Sequence, residues 1–376
     1  GTAPSEEEEE EEEFRRKEAF NDSYRVCNVG PKGMGAVANR KIAQGELLVR
    51  EKPVVVFQDT ALEVIFDLDG RLARSKDMFW NWEMGLRKSL EESCSAEELW
   101  RFWRLSDASA RGEAKNTAVG IARTNALSFG EDSAGVFPRV SRFNHSCRPN
   151  VASSWQADDG EQVLRASADI EAGTELCISY MSHVQICAPC FDRKKSILKT
   201  SGFECRCDVC ALQGVARQHS DMRRQILARL NGLVQKAADL EELGGARVIE
   251  DAFKLLSEEF GGAPPAKALL CFSGFWLAVA SGLPDEAERF GSLAARNAEI
   301  AEGPDSWRAQ SLRELVATAR QRCLQALEEQ AGDGADADVE SGDEQGQEED
   351  KKSFAKSPFP SSAGFADEEL SIFSDL

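Results

Sequence analysis

A ten-residue segment near the middle of the chain, residues 142–151, reads Arg-Phe-Asn-His-Ser-Cys-Arg-Pro-Asn-Val. A second motif of the form Cys-x-Cys-x2-Cys follows it, formed by Cys205, Cys207 and Cys210. Three cysteines within six residues can supply three thiolates to one metal ion, but tetrahedral zinc takes four ligands. Cys147 in the first segment is the candidate for the fourth ligand. Zinc held in this way would fix the second motif against the Asn-His pair of the first, so these two motifs constrain the fold most.

The composition limits the classes of protein to which the chain can belong. Its 376 residues allow two domains with tails, and a hydrophobic fraction of 42% is sufficient for a core. Eleven cysteines, clustered as they are, are typical of thiolate chemistry in a reducing compartment rather than of a disulfide scaffold. A net charge of −20 argues against a general nucleic-acid-binding protein, which needs a basic surface. No apolar run is long enough to span a membrane, and no signal-peptide pattern opens the chain.

Much of the negative charge lies in two runs, Glu6 to Glu13 and Asp333 to Asp350. We interpret both as solvated, disordered segments. An alternative is that their field attracts basic substrates such as histone tails. The end of the chain could also be a peptide motif for a partner. Because residue 1 is glycine, we expect the natural N-terminus to lie upstream.

Hydrophobic periodicity divides the rest of the chain. Strand-like patterns occupy residues 24–57 and return between 136 and 180, whereas residues 61–123 have helix-like spacings. The region from Ser220 to about Gln330 is almost wholly helical, with four breaks that predict about five helices. Two apolar stripes are predicted to face a core there. Their members are Met222, Ile226, Leu230, Leu233 and Ala237, and Leu312, Leu315, Val316, Ala319, Cys323 and Leu327.

A third element, Glu175 to Tyr180, lies between the two motifs and ends in a tyrosine. The order of Asn-His, tyrosine and cysteine motif resembles the SET-domain protein lysine methyltransferases, and is most similar to their SET and MYND class. The MYND zinc finger of that class is expected to be absent, since residues 58–140 contain only Cys94. The resemblance implies an α+β fold, with a β-rich SET core of the β-clip type. The implied domains are a SET domain at 24–182 with a helical insert at 61–123, a post-SET zinc segment at 183–212, a C-terminal α-helical domain at 219–330, and acidic disordered segments at 1–23 and 331–376.

The resemblance also implies a binding site for S-adenosyl-L-methionine. The residues expected to contact this cofactor are Lys32, Gly33, Met34, Gly35, Asn125, Asn144, His145, Tyr180 and Phe203. Taken alone, the loop at 32–35 could be an ordinary turn, Asn125 a helix-terminating asparagine, and His145 a structural histidine. The four cysteines Cys147, Cys205, Cys207 and Cys210 are expected to bind one zinc ion. Cys187 and Cys190, with His183 nearby, are either half of a second metal site or the entry to a helix.

Tyr180 is the residue expected to act in catalysis. Methyl transfer from a sulfonium to a lysine amine is an in-line displacement that needs a neutral, aligned nucleophile. A phenol can direct the amine lone pair, and no strong general base is required. Tyr180 could instead be a plain aromatic at a strand end.

The resemblance implies a protein lysine N-methyltransferase acting on a protein substrate, histone or non-histone. The alternative is a non-catalytic, zinc-stabilised SET scaffold for protein–protein interaction. We expect a monomer of the cytoplasm, the nucleus or both, with no direct binding to nucleic acid or membrane. The C-terminal helices are predicted to pack beside the SET core and to wall one side of the substrate cleft.

Overall fold

The computed structural model describes residue 18 and residues 20–58, 76–108, 116–129, 133–234 and 245–335. Its strands are β1 (Tyr24–Asn28), β2 (Met34–Ala38), β3 (Leu47–Glu51), β4 (Val55–Gln58), β5 (Ala126–Phe129), β6 (Ser133–Val136), β7 (Asn144–His145), β8 (Val151–Gln156), β9 (Glu161–Ala166) and β10 (Cys177–Ile178). Its α-helices are α1 (Lys76–Ser93), α2 (Ala96–Trp103), α3 (Ala118–Asn125), α4 (His183–Ile186), α5 (Cys190–Ser201), α6 (Asp208–Ala211), α7 (Gly214–Val234), α8 (Ala246–Phe260), α9 (Pro264–Ala280), α10 (Pro284–Glu302), α11 (Trp307–Ala317) and α12 (Ala319–Ala335).

The strands form four small sheets rather than one large one. The strands β1 and β2 form one antiparallel pair. Two three-stranded antiparallel sheets have the strand orders β3-β9-β8 and β4-β6-β5. The strands β7 and β10 pair in parallel, and this short pair carries the Asn-His dipeptide. The mixed α+β fold expected from the sequence is confirmed.

One hydrophobic core lies among β1, β2, β3, β8 and β9. Tyr24 and Phe143 pack edge-to-face inside it, with ring centroids 5.2 Å apart. Short strands from distant parts of the sequence can only be stable when such a core covers one of their faces. Because Phe143 directly precedes the Asn-His pair, the core fixes the position of that pair.

A second core holds the helical insert together. Leu90, Phe102 and Ile121 are buried there with Val136 of β6. Ser95 and Glu98 form a capping box that begins α2. The buried carboxylate of Glu83 accepts hydrogen bonds from the first backbone amides of α3. The prediction of helices in this insert is confirmed for its described residues, whereas strand β5 directly after it was not predicted.

The described residues form two compact units. The first comprises the described residues up to 225 together with 259–263 and 300–303, and the second comprises the remaining described residues from 226 to 335. Small side chains allow close packing inside the second unit. Gly274 lies against the ring of Phe290, where a Cβ would come within 2.9 Å of ring carbons. The predicted packing of the C-terminal helices against a substrate cleft stays a prediction.

Two predictions about the C-terminal helices are wrong in detail. In the described part of residues 214–335 there are six helices rather than five, because the last predicted helix is interrupted at Thr318. The stripe beginning at Met222 does not face a core, since Met222 is 53% exposed and Ile226 is also exposed. The buried face of α7 carries Ser220, Arg224 and Leu227 instead.

A buried ion pair explains why α7 buries a different face from the predicted one. Arg224 and Glu259 are both fully buried and paired, and a periodicity of apolar residues cannot reveal a polar contact of this kind. Leu233 and Ala237 of the predicted stripe lie outside the side chains that the structure describes, as do both acidic runs. No helix in the described part of the chain has the length and hydropathy needed to cross a membrane.

Candidate active site and metal centre

The four predicted cysteines come together in a buried cluster. Their Sγ atoms all lie within 4.8 Å of one another, in the group Cys147, Cys205, Cys207 and Cys210. The sulfur of Cys147 lies 3.9 Å from that of Cys205 and 3.6 Å from that of Cys210. Zn–S bonds of about 2.3 Å in a tetrahedron place sulfur atoms about 3.8 Å apart. All four cysteines are free thiols, so the donor set and its spacing fit a structural zinc ion.

The sulfurs of the cluster shift one another's pKa values in opposite directions. Hydrogen bonds from the other sulfurs, that of Cys147 first, lower the pKa of Cys207, while the hydrogen bond with Cys205 raises the pKa of Cys147. A cation stabilises thiolates by displacing their protons. Four buried sulfurs that compete for protons in this way are therefore suited to a metal ion.

The second cysteine pair has a different environment. Cys187 and Cys190 are buried, and the sulfur of Cys190 lies 3.9 Å from the carbonyl oxygen of Cys210. Among the described residues, the four-cysteine cluster is the only group of three or more metal-ligating side chains close enough to share an ion. Cys190 begins α5, which agrees with the alternative of a helix entry.

The parallel pairing of β7 with β10 positions the tyrosine. Cys177 aligns with Asn144 and Ile178 with His145. Asn150 supports the pair from the side, because its amide donates to the carbonyl of Glu175 and its Oδ1 accepts from the amide of Cys177. The last residues of the first motif therefore hold the third element in register, and Tyr180 follows two residues after β10.

Tyr180 makes one hydrogen bond through its hydroxyl. The Oη atom donates to the backbone carbonyl of Phe143 over 2.9 Å. Burial raises the pKa of this phenol above its usual value, although 36% of the residue's surface is exposed. Since the hydroxyl hydrogen points at Phe143, the oxygen can direct its lone pairs elsewhere. Phe203 approaches Tyr180 edge-on, with ring centroids 6.5 Å apart, and lies at the same centroid distance from His145.

His145 is buried between the tyrosine and the cysteines. Its Nδ1 accepts a hydrogen bond from the backbone amide of Tyr180 over 3.0 Å, and its Nε2 lies 3.3 Å from the sulfur of Cys147. Burial lowers the pKa of the imidazole to about 4, so the ring is neutral near pH 7. The histidine is therefore part of the connection between the two motifs.

The glycine loop closes on the Asn-His pair. Gly33 has a φ of 77°, a conformation that favours glycine. A Cβ on Gly35 would come within 2.6 Å of the side-chain nitrogen of Asn144, so only glycine allows this approach. That nitrogen donates to the carbonyl of Met34 and to the carboxylate of Glu175. The loop residues 33–35 and Asn144 thus lie together.

Glu175 also holds Lys32, which lies at the start of the same loop. The Nζ of Lys32 is 2.7 Å from Oε2 of Glu175. Partial burial lowers the pKa of Lys32, but the hydrogen bond to Glu175 and the negative charge around the ammonium together outweigh this effect, and the net shift is upward. The lysine is therefore a fixed positive charge beside Asn144.

Asn125 occupies the last position of α3. Its side-chain nitrogen donates to the carbonyls of Ser106 and Ile121, over 2.7 and 2.8 Å. Its own carbonyl accepts from the hydroxyl of Ser141, which lies just before the first motif. These contacts are those of a helix-terminating asparagine. Its expected contact with a cofactor stays a prediction.

Sequence reasoning missed three supporting carboxylates. Glu175 was read only as part of a motif. Glu51 accepts from the amides of Arg139 and Val140, at the start of the turn that leads to the Asn-His pair, and burial raises the pKa of this carboxyl to about 7. Glu259 pairs with Arg224, whose guanidinium donates to the carbonyl of Cys147. Buried carboxylates with distant partners have no local sequence signal, although a charged residue within an apolar run is a weak one.

Comparison with known proteins finds a SET domain in the chain. The family model described as SET domain matches residues 33–181. The chain is 28% identical to the histone-lysine N-methyltransferase set5 of Schizosaccharomyces pombe over 310 residues, which cover 80% of this chain and 86% of that protein. It is 35% identical to the protein-lysine N-trimethyltransferase SMYD5 of Gallus gallus over 82 residues, which are 22% of this chain and 20% of that protein.

A solved structure of Rubisco LSMT bound to sinefungin and monomethyllysine also aligns, with 13% identity and a TM-score of 0.28 over 86% of this chain and 93% of that one. The similarity of the two structures is low, and the assignment depends instead on the family model and the sequence relatives. Residues 33–181 of this chain are a SET domain, and the relatives that the chain matches are named histone-lysine and protein-lysine methyltransferases.

Proposed function

We propose that the protein transfers a methyl group from S-adenosyl-L-methionine to the side-chain amine of a lysine in a protein substrate, with Tyr180 orienting that amine. The observation that carries the proposal is the meeting of Tyr180, His145 and Phe203 at one place, beside the four-cysteine cluster. These residues are distant in sequence. Their convergence is what the reaction requires, because a methyl donor and an amine must be held in line.

The cofactor site of this proposal comprises Lys32, Gly33, Met34, Gly35, Asn125, Asn144, His145, Tyr180 and Phe203. Lys32 suits the carboxylate of an amino-acid moiety, since its ammonium is held at the loop by Glu175. The backbone of Gly33 is open, with no atom within 4 Å of a Cβ placed there, so a ligand could lie along it. Phe203 offers an aromatic face beside the site, and the cysteine cluster two residues later fixes its backbone.

Catalysis requires the chain to orient a neutral amine. The cofactor, when bound, supplies a methyl group on a sulfonium, and the C–N bond forms as the C–S bond breaks. The hydroxyl hydrogen of Tyr180 is engaged with Phe143, so the phenol oxygen presents lone pairs to an N–H of the lysine. The hydrogen bond from the lysine N–H to the phenol oxygen turns the amine lone pair toward the methyl carbon. The proton lost from the ammonium before transfer goes to solvent.

The surrounding architecture is part of the proposal. The SET domain spans residues 24–182 with its insert at 61–123, the post-SET segment 183–212 binds zinc, and residues 219–330 form a helical domain. We infer a histone as the first substrate to test, because the relative that aligns over most of its length is named a histone-lysine methyltransferase. Cytoplasm and nucleus are the compartments where such substrates occur.

The experiment compares Tyr180→Phe with Tyr24→Phe, the only other tyrosine in the chain. The first variant is expected to lower kcat by about 30- to 1,000-fold, or about 2–4 kcal/mol, with little change in affinity for S-adenosylmethionine. The second removes a hydroxyl that accepts from the amide of Phe20 and should leave kcat unchanged. Tritiated S-adenosylmethionine with histones and a cell lysate measures turnover, and calorimetry measures cofactor affinity. If wild-type protein gives no heat of binding, the chain is a SET scaffold and the proposal is wrong.

A further inference from the structure

We infer that His145 is a positioning residue that couples the occupancy of the metal centre to the placement of Tyr180. The inference rests on the proposed roles of Tyr180 and of zinc. It concerns a contact that neither the family match nor the relatives assign: the imidazole lies between a cysteine of the cluster and the backbone of the tyrosine.

The tautomer of His145 follows from its partners. The amide nitrogen of Tyr180 can only donate, so Nδ1 must be the unprotonated, accepting nitrogen. A neutral ring then carries its hydrogen on Nε2. This hydrogen points at the sulfur of Cys147, 3.3 Å away. The sulfur must accept, and a metal-bound thiolate, which carries no hydrogen, is the best acceptor that a cysteine can offer.

Other donors turn toward the same sulfur cluster. The backbone amide of Cys147 donates to the sulfur of Cys207 over 3.4 Å, and the buried guanidinium of Arg193 lies 3.9 Å from the sulfur of Cys210. Together with His145 these are N–H groups directed at three of the four sulfurs. Groups of this kind stabilise the negative charge of metal-bound thiolates. Of the three, His145 alone is also bonded to the tyrosine.

The geometry also limits what His145 can do for a cofactor. Both ring nitrogens are engaged, and the residue is 3% exposed. Its side chain therefore has no free nitrogen to offer a ligand, and any contact with the cofactor comes from its backbone. The ring instead couples the position of Cys147 to the position of the Tyr180 backbone. When the centre holds its ion, the ring is fixed at Nε2 and the amide of Tyr180 is held at Nδ1. The hydroxyl of Tyr180 then stays bonded to Phe143.

Nuclear magnetic resonance of the wild-type protein tests the tautomer directly. The chain has three histidines, so imidazole nitrogen signals can be assigned with His183→Gln and His219→Gln. In the zinc-loaded protein, one ring should show a protonated Nε2 and an unprotonated Nδ1. Replacing zinc with cadmium-113 should produce scalar coupling between that Nε2 hydrogen and the metal. A protonated Nδ1, or a ring without coupling, overturns the inference.

Two variants test the coupling to Tyr180. His145→Phe keeps a ring but removes both hydrogen bonds, whereas His145→Gln retains one donor and one acceptor. His219→Gln is the control, since His219 is exposed. Loss of zinc to a chelator should be about 10- to 100-fold faster in His145→Phe, with partial recovery in His145→Gln. The kcat should fall about tenfold or more in His145→Phe, while KM for the cofactor changes little.

The readouts separate the two proposals. Zinc release and the imidazole signals need no substrate, so they decide the contact between His145 and the metal centre even if no methyl transfer is found. If His145→Phe folds, keeps the zinc-release rate of the wild type and keeps its kcat, the inference is wrong. If His145→Phe does not fold, the cadmium coupling in the wild-type protein decides the matter.

Discussion

Two groups of closely spaced cysteines lie within 24 residues of each other, yet only one forms a cluster. Cys205, Cys207 and Cys210 meet the sulfur of Cys147 from a distant part of the chain. Cys187 and Cys190 have the same Cys-x2-Cys spacing as Cys207 and Cys210, but no third ligating side chain among the described residues joins them. The difference is therefore not the spacing. It is the presence of a fourth ligand delivered by the tertiary fold.

Two buried arginines lie between these cysteine groups. Arg193 donates to the carbonyl of Ala188 and approaches the sulfur of Cys210. Arg224 donates to the carbonyls of Ile186 and Cys147. The carbonyls of Ile186 and Ala188, on either side of Cys187, are thus held by arginines, and Cys190 begins α5. The same arginines also contact the four-cysteine cluster, Arg193 at the sulfur of Cys210 and Arg224 at the carbonyl of Cys147.

The largest expected effect is on metal content. Cys147→Ser should reduce bound zinc from one ion per chain to far below one and destabilise the protein strongly, because a structural zinc site contributes on the order of 10 kcal/mol of binding free energy. Cys187→Ser is the matched variant and should keep a full equivalent. Elemental analysis and thermal unfolding measure both. Equal zinc loss in the two variants would show that the cysteine groups form one centre.

The second-largest expected effect is a loss of stability when Glu259, the carboxylate paired with Arg224, is removed. Glu259 is fully buried and accepts from Arg224 and Ser220, each over 2.6 Å. Glu259→Ala leaves a buried guanidinium without its partner, so we expect the free energy of unfolding to fall by about 3–5 kcal/mol. Glu204→Ala is the control, since its ion pair with Lys194 is exposed and should contribute at most about 1 kcal/mol. Denaturant unfolding measures both. A small loss in Glu259→Ala would mean that the fold relaxes around Arg224.

The smallest expected effect is the pH dependence of the same contact. Burial alone would raise the pKa of Glu259, but the hydrogen bond from Ser220 and the charge of Arg224 outweigh it, and the net shift is downward. A carboxyl whose pKa is lower in the folded state binds fewer protons there than in the unfolded chain. Its contribution to stability is therefore complete above the ordinary glutamate range and is lost as pH falls below about 4.5. Denaturant unfolding at pH 7 and at pH 3–4 measures this effect. The free energy of unfolding should fall less on acidification in Glu259→Gln than in the wild type.

The sequence predicted those parts of the site that depend on local chemistry. Cys205, Cys207 and Cys210 are close in the chain, and a tetrahedral ion limits what the fourth ligand can be, so Cys147 could be named in advance. Gly35 and the Asn-His pair could be assigned to one expected cofactor site through the family resemblance, although their mutual contact was not predicted. The strands within residues 24–57 were equally readable, since turn residues separate short apolar segments there.

The sequence could not give the contacts made by buried polar groups. A motif showed His145, but not that its two nitrogens bond a cysteine and a tyrosine backbone. An apolar stripe at Met222 suggested the wrong face of α7, because the pairing of Arg224 with Glu259 decides which face is buried. Short-range patterns in a sequence record propensity and burial, and these determined the elements and the metal ligands. Hydrogen bonds between residues distant in the chain have no periodicity, so only the tertiary structure decided them.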